Sequence, residues 1–226
     1  MRKLLLAAAL MSMAPTGAAA APCMPDPLSA YTAPGFSCEI GGATFSDFSL
    51  STLDPFAMLI PDIQVSPFAL GLDFGIDVQA LSGEVFDALI GYTLSGPSIA
   101  ANSLSMTGSA VDPGGSVSAI EEKCIGGTFA GDNPFTPCSG TTLFPPLVVA
   151  DVGGGPGPPD QALFMPASFF DVFTQITIDG TFAPASLAGA VRNEFTAAAV
   201  PEPSALLLVS SGVLAALGRR RYRRLR

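Results

Sequence analysis

The chain has 226 residues, 49% hydrophobic and only 13% charged, which is enough for one domain with its own core. It lacks histidine and tryptophan, which excludes Ser-His-Asp and Cys-His nucleophilic sites and imidazole-bound metals. Between residues 21 and 199, 2 basic residues stand against 18 acidic ones, a net charge of −16. Such a surface argues against nucleic acid and anionic lipid as partners.

The first 20 residues have the organisation of a secretory signal peptide. Arg2 and Lys3 precede an apolar run over residues 4–14, and small residues lead to an Ala-x-Ala site at 18–20. The apolar run is too short to span a hydrocarbon core of about 30 Å. The sequence therefore predicts export, with cleavage before Ala21.

The body, residues 21–199, is dominated by apolar residues at every second position, which is typical of half-buried strands. Turn signals such as Gly96-Pro97, 112–115 and Asp179-Gly180 separate the candidates, and no amphipathic helix is predicted. The pattern predicts one all-β domain, an antiparallel β-sandwich of jelly-roll-like form. The predicted strands are 68–80 (bent at its glycines), 88–95 and 170–179, with shorter ones at 43–50, 99–107, 116–125, 145–151 and 186–195.

Four cysteines, Cys23, Cys38, Cys124 and Cys138, remain after export. An even number in an oxidising compartment indicates two disulfides, and the absence of a Cys-x-x-Cys pair disfavours metal or redox sites. Proline-rich intervals favour the local pairs Cys23–Cys38 and Cys124–Cys138, each closing a loop of about 15 residues. A crossed Cys38–Cys124 bond is the main alternative, which geometry must decide.

The acidic residues form no recognisable catalytic or metal-binding pattern. Asp73 and Asp77 share a face of one predicted strand about 13 Å apart, too far for a glycosidase pair, and solvated side chains are expected there. No EF-hand loop or calcium-binding nonapeptide is present. The phenylalanines are expected in the core, and carbohydrate-stacking tryptophans are lacking. We therefore predict no catalytic residue, no metal ligand and no cofactor.

The C-terminal residues 200–226 combine three features in a fixed order. Pro201-Glu202-Pro203 is followed by an uncharged apolar helix at 204–218, about 22 Å long at 1.5 Å per residue, which is short for a membrane span. A basic cluster at 219–226 then places the C-terminus on the cytoplasmic side. Its arginines are Arg219, Arg220, Arg221, Arg223, Arg224 and Arg226.

These three features resemble the PEP-CTERM sorting tail of exported bacterial proteins, and the resemblance covers residues 200–226 alone. It implies recognition by an exosortase, an integral-membrane cysteine protease, and cleavage near Pro201-Glu202-Pro203. It also implies a host of the kind that makes extracellular polysaccharide and biofilm. An ordinary C-terminal membrane anchor is the alternative interpretation of the same segment.

These patterns predict an exported, non-enzymatic protein of the cell surface or extracellular matrix. The precursor is expected in the inner membrane, held by its C-terminal transmembrane helix, and the mature protein at the surface or outside the cell. Its expected partners are the exosortase-type protease, the membrane before processing, and extracellular polysaccharide. A calcium- or polysaccharide-binding module is the second interpretation, and a hydrolase that uses acidic residues is the third.

Overall fold

The structure, a computed structural model, describes residues 20–131 and 133–198. Apart from Ala20, the predicted signal peptide lies outside the described residues, and so does the predicted sorting tail at 200–226. The described part is mostly β-strand with a single short helix, α1 (Leu28–Tyr31), which confirms the predicted all-β class. No helix within these two ranges has the length and hydrophobicity needed to cross a membrane.

The strands form one 13-stranded sheet. Its pairings in the described residues are antiparallel except for two short parallel ones, β1 with β3 and β5 with β8. In chain order the strands are β1 (Ala21–Pro22), β2 (Asp26–Pro27), β3 (Ser37–Ile40), β4 (Ala43–Ser51), β5 (Met58–Leu59), β6 (Gln64–Phe68), β7 (Gly71–Ala80), β8 (Val85–Val111), β9 (Ser116–Ile125), β10 (Thr141–Thr142), β11 (Leu147–Asp151), β12 (Asp160–Asp179) and β13 (Ala185–Ala197).

Two long strands, β8 and β12, hold the sheet together. They pair along most of their length, from Leu104 with Asp160 to Val85 with Asp179. The other edge of β8 is shared by β4, which pairs with residues 89–95, and β13, which pairs with residues 99–111. The sheet curls along this ladder, so that β9 and β12 approach β13 without pairing with it.

The inside of the curl is the hydrophobic core. Phe74 on β7 approaches Tyr92 on β8 with ring centroids 6.3 Å apart, and Phe170 on β12 approaches Phe195 on β13 at 6.1 Å. Aromatic pairs of this kind add about 0.5–1.5 kcal/mol beyond their buried area. Tyr92 is 1% exposed, and its hydroxyl accepts a hydrogen bond of 2.6 Å from Asn193 Nδ2. The two-residue alternation in the sequence thus selects the side chains that face inward.

Two predicted strand boundaries are wrong. Residues 68–80 do not form one bent strand, because the chain reverses at Ala69-Leu70 and pairs β6 with β7 as a hairpin. Gly96-Pro97 does not end a strand, because β8 continues through it and exchanges β4 for β13 as its neighbour. Gly96 has a φ of 144° and lies so close to the backbone of Gly42-Ala43 that a Cβ would clash. The glycine marks a bend in the curl rather than a turn.

The structure contains both predicted disulfides, Cys23–Cys38 and Cys124–Cys138, with sequence separations of 15 and 14. The first joins the segment after β1 to β3. The second joins the end of β9 to the loop that follows it, where Phe129 and Cys138 form a bridge. Closing a loop of this size stabilises the fold by about 3 kcal/mol in the chain-entropy model. The crossed Cys38–Cys124 alternative is excluded.

Candidate functional site

A recess lies on the outer side of the curl, where β4, β8 and β12 run side by side and loop residues 128–131 form a wall. Its volume is about 270 Å³. We call it the aspartate pocket, because two carboxylates from different strands line it. Its lining residues are Asp47, Ser49, Gly91, Tyr92, Thr93, Thr128, Phe129, Gly131, Asp171 and Phe173.

Asp47 is directed towards the pocket by a β-bulge. The pairing of β4 with β8 shifts between Ser46 and Ser49, and Asp47 has a φ of 54°, a conformation that aspartate tolerates better than most residues. Bulges of this kind change the direction of a side chain. Here the Asp47 carboxylate accepts hydrogen bonds from the hydroxyls of Thr93, at 2.8 Å, and Ser46, at 2.9 Å.

Asp171 connects the pocket to the loop above it. It lies on β12 directly opposite Thr93 of β8, and its carboxylate accepts a hydrogen bond of 2.8 Å from the backbone N–H of Phe129. Phe129 also packs edge-on against Phe173, with ring centroids 5.5 Å apart. The Cys124–Cys138 disulfide closes the same loop, so the pocket wall is fixed at three points.

The lack of a side chain at Gly91 leaves space at the floor of the pocket. A Cβ at this position would meet the Ser49 hydroxyl and the ring of Phe173. With no basic residue in the lining, the pocket offers carboxylates, hydroxyls and the edges of two phenyl rings. That set of groups can accept hydrogen bonds from a polyhydroxylated ligand or attract a hydrated cation.

The aspartate pocket is one of several recesses on the surface. Three further recesses have volumes of 200–280 Å³, so size alone does not distinguish the aspartate pocket. Among the described residues, no group of three or more His, Cys, Asp or Glu side chains could hold a metal ion. What distinguishes the pocket is its pair of acidic side chains beside a disulfide-closed loop.

The two aspartates singled out from the sequence lie elsewhere. Asp77 on β7 is exposed, but Asp73 is not simply solvated as predicted, because it forms an ion pair with Arg192 on β13. Arg192 also lies over the ring of Phe68, at 3.5 Å from the ring centroid. Hydrogen bonding to Asp73 raises the pKa of Arg192. These residues hold β7 against β13 and do not reach the aspartate pocket.

Sequence reasoning missed two buried aspartates that anchor loops. Asp87 on β8 accepts hydrogen bonds from four groups, and these keep its pKa below the usual value although burial acts to raise it. Asp151, at the end of β11, also accepts hydrogen bonds from four groups. Burial acts to raise its pKa, but these hydrogen bonds keep the pKa below the usual value. The donors are Thr52, the Leu53 N–H, Gln175 and Thr177 for Asp87, and Ser109 with the N–H groups of Gly153, Gly154 and Gly155 for Asp151.

Two charged residues that the sequence did not single out, Glu121 and Lys123, are fully buried inside the curl. The prediction that the phenylalanines fill the core holds for seven of them but is wrong for five that are exposed. The exposed ones are Phe56, Phe135, Phe144 and Phe182 on loops and Phe68 at the end of β6, and the buried ones are Phe45, Phe48, Phe74, Phe129, Phe170, Phe173 and Phe195.

Comparison with known families identifies the C-terminal segment. The PEP-CTERM protein-sorting motif matches residues 199–224, a range that contains Pro201-Glu202-Pro203 and the arginines up to Arg224. The comparisons with curated proteins and with solved structures gave no match. The predicted resemblance is confirmed, and the motif implies exosortase-dependent sorting of an exported protein.

Proposed function

From the PEP-CTERM sorting motif at residues 199–224, we propose that the chain is a non-enzymatic protein of the cell surface or extracellular matrix. Its signal peptide would direct it to the inner membrane, where the helix at 204–218 would hold the precursor with its arginines in the cytoplasm. An exosortase-type protease would then cut near Pro201-Glu202-Pro203 and release the body. The motif match is the observation that carries this proposal.

The body supports a role outside the cytoplasm. Two disulfides close its loops, as is usual for secreted domains, and we interpret the curled sheet as a jelly-roll-like sandwich spanning residues 21–199. A non-enzymatic role is supported by the use of its acidic groups. Asp73 pairs with Arg192, while Asp87 and Asp151 hold loops in place, so these carboxylates have structural tasks.

The mature protein from its native host provides the test. Mass spectrometry should find a C-terminus near residues 201–203 and no peptide from 204–226. A chain carrying Glu202→Gln should retain its tail if the protease reads the charge, and a matched Glu194→Gln chain should be processed normally. An intact arginine-rich C-terminus on the mature protein would show that the tail is an ordinary anchor.

The aspartate pocket favours a second candidate function, binding of calcium or extracellular polysaccharide by the exported body. Its carboxylates, hydroxyls and phenyl edges match the groups that hold a sugar or a hydrated cation. Calorimetric titration with Ca²⁺ and with neutral and acidic polysaccharides tests this candidate. Binding that is lost in Asp47→Asn and kept in Asp77→Asn would assign it to the pocket, whereas no heat with any ligand would contradict it.

A further inference from the structure

The most unusual pair of side chains in the described residues is Glu121 with Lys123. Both lie on β9, and residues two apart on a strand point to the same face, here the inside of the curl. Both side chains are 0% exposed, and the Lys123 ammonium contacts the Glu121 carboxylate as an ion pair. The amine and the carboxyl are therefore held together where water does not reach.

The surroundings supply few hydrogen bonds to the two charges, although the charge of Asp160 favours the Lys123 ammonium. Glu121 lies between Leu147 of β11 and Thr174 of β12, and Lys123 lies opposite Val172 of β12. Neither carboxylate oxygen nor Lys123 Nζ has a regular hydrogen bond, although the Thr174 side chain lies close enough to lower the pKa of Glu121. An ion pair buried with so few supporting hydrogen bonds is costly to keep ionised.

Burial moves both groups towards their neutral forms. It raises the pKa of Glu121 and lowers the pKa of Lys123, and each charge partly offsets the shift of the other. Passing one proton from the ammonium to the carboxylate gives a carboxylic acid beside a free amine. These are the two species from which an amide forms.

We propose that Glu121 and Lys123 form a covalent modification site, in which Lys123 Nζ and Glu121 Cδ condense to an intramolecular amide. The amine lone pair attacks Cδ and the C–N bond forms. Nζ loses one proton to the departing carboxyl oxygen, which leaves as water. The step balances without an oxidant, a reductant or a cofactor.

Three features of the site favour this condensation. Contact within one strand replaces an encounter in solution, an advantage equivalent to an effective concentration of roughly 10⁵ M or more in well-oriented systems. The dry surroundings disfavour the reverse hydrolysis. The amide also removes two buried charges and keeps only neutral polar groups.

The composition of the body makes the test direct. Lys123 and Arg192 are the only basic residues between 21 and 199, so trypsin has two cleavage sites there. After reduction and unfolding, the exported protein should have the mass of its sequence less one water. It should be cut after Arg192 and not after Lys123, and fragmentation should give no break between residues 121 and 123.

Substitutions at Glu121 and Lys123 identify the two side chains that the amide joins. Glu121→Gln should lose ammonia instead of water if the amide still forms, and Lys123→Met should show no loss. The partly exposed Asp73–Arg192 pair is a matched control, since its peptides should keep their full mass. A full mass with cleavage after Lys123 would overturn the proposal, and loss of ammonia from the unmodified sequence would assign the amide to an asparagine and overturn it equally. The wild-type mass decides even where a variant fails to fold.

Discussion

Arg192 on β13 holds Asp73 on β7 with two hydrogen bonds, its Nε and Nη2 lying 2.7 and 2.9 Å from the two carboxylate oxygens. The two residues are 119 positions apart in the chain and directly opposite each other in the sheet. Phe68 covers the guanidinium from the neighbouring strand. The contact therefore connects β6, β7 and β13 on the outer side of the curl.

Arg192→Lys keeps the charge at this contact but loses the two-point geometry and the planar stacking on Phe68. The side chains of Arg192 and Asp73 are 39% and 18% exposed, so we expect a loss of stability of about 0.5–1 kcal/mol. Urea unfolding of the two proteins measures this loss. Equal stabilities would contradict a contribution from the two-point contact and the stacking on Phe68.

Asp87 should make the protein sensitive to acid. Burial acts to raise its pKa, but four hydrogen bonds hold the pKa below 3.8. Because the folded pKa lies below the unfolded one, this group stabilises the fold above about pH 3.8, and the contribution is lost as the pH falls through the folded pKa. Thermal unfolding between pH 7 and pH 2 should show the loss in that acid range.

The variant Asp87→Asn isolates this residue. The amide keeps one acceptor oxygen but presents an NH₂ group to donors, so we expect a loss of about 1–3 kcal/mol at neutral pH. Its stability should also fall less steeply in acid than that of the unmodified protein. Asp77→Asn, at an exposed position of β7, is the matched control. A variant as acid-sensitive as the original would show that Asp87 is not the group responsible.

The substitution Gly91→Ala should destabilise the protein by crowding the aspartate pocket. An added Cβ would press on the Phe173 ring and the Ser49 hydroxyl, and overpacking of this kind costs about 1–3 kcal/mol. Gly75→Ala is the control, because its added Cβ would meet only ordinary contacts at 3.5 Å or more. Denaturant unfolding should separate the two variants, and equal stabilities would contradict the close packing at Gly91.

The strands could be predicted where one face of the sheet packs inside the curl. Ile76, Val78 and Ala80 on β7 are buried at every second position, and that alternation is visible in the sequence. The hairpin at Ala69-Leu70 was not predictable, because these two apolar residues carry none of the usual turn chemistry. At Gly96-Pro97 the sequence does contain a turn signal, but a Gly-Pro pair occurs at bends within strands as well as at turns. The pair therefore did not decide whether the strand ends there.

The aspartate pocket could not be predicted from the sequence for a different reason. Asp47 and Thr93 are 46 positions apart, and only the pairing of β4 with β8 brings them together. Glu121 and Lys123 were hidden because β9 carries charged and apolar residues on both faces. Ile120 and Glu122 share the opposite face, so the pattern did not decide which side is buried.

Replacing Lys123 by methionine should make the stability of the protein fall as the pH rises. The variant leaves the Glu121 carboxyl buried without any partner at position 123, and an uncompensated buried carboxylate costs about 3–5 kcal/mol. Burial raises the pKa of Glu121 above its usual 4.5, and Lys123 partly opposes that shift, so the shift grows when Lys123 is removed. A carboxyl with a raised folded pKa favours the fold below its unfolded pKa, and this advantage is lost as the pH rises towards the folded pKa.

Chemical unfolding of Lys123→Met should therefore show stability that falls as the pH rises above about 4.5. The double variant Glu121→Leu with Lys123→Met removes both groups and should lack that fall. The same pH dependence in both variants would show that Glu121 is not its source.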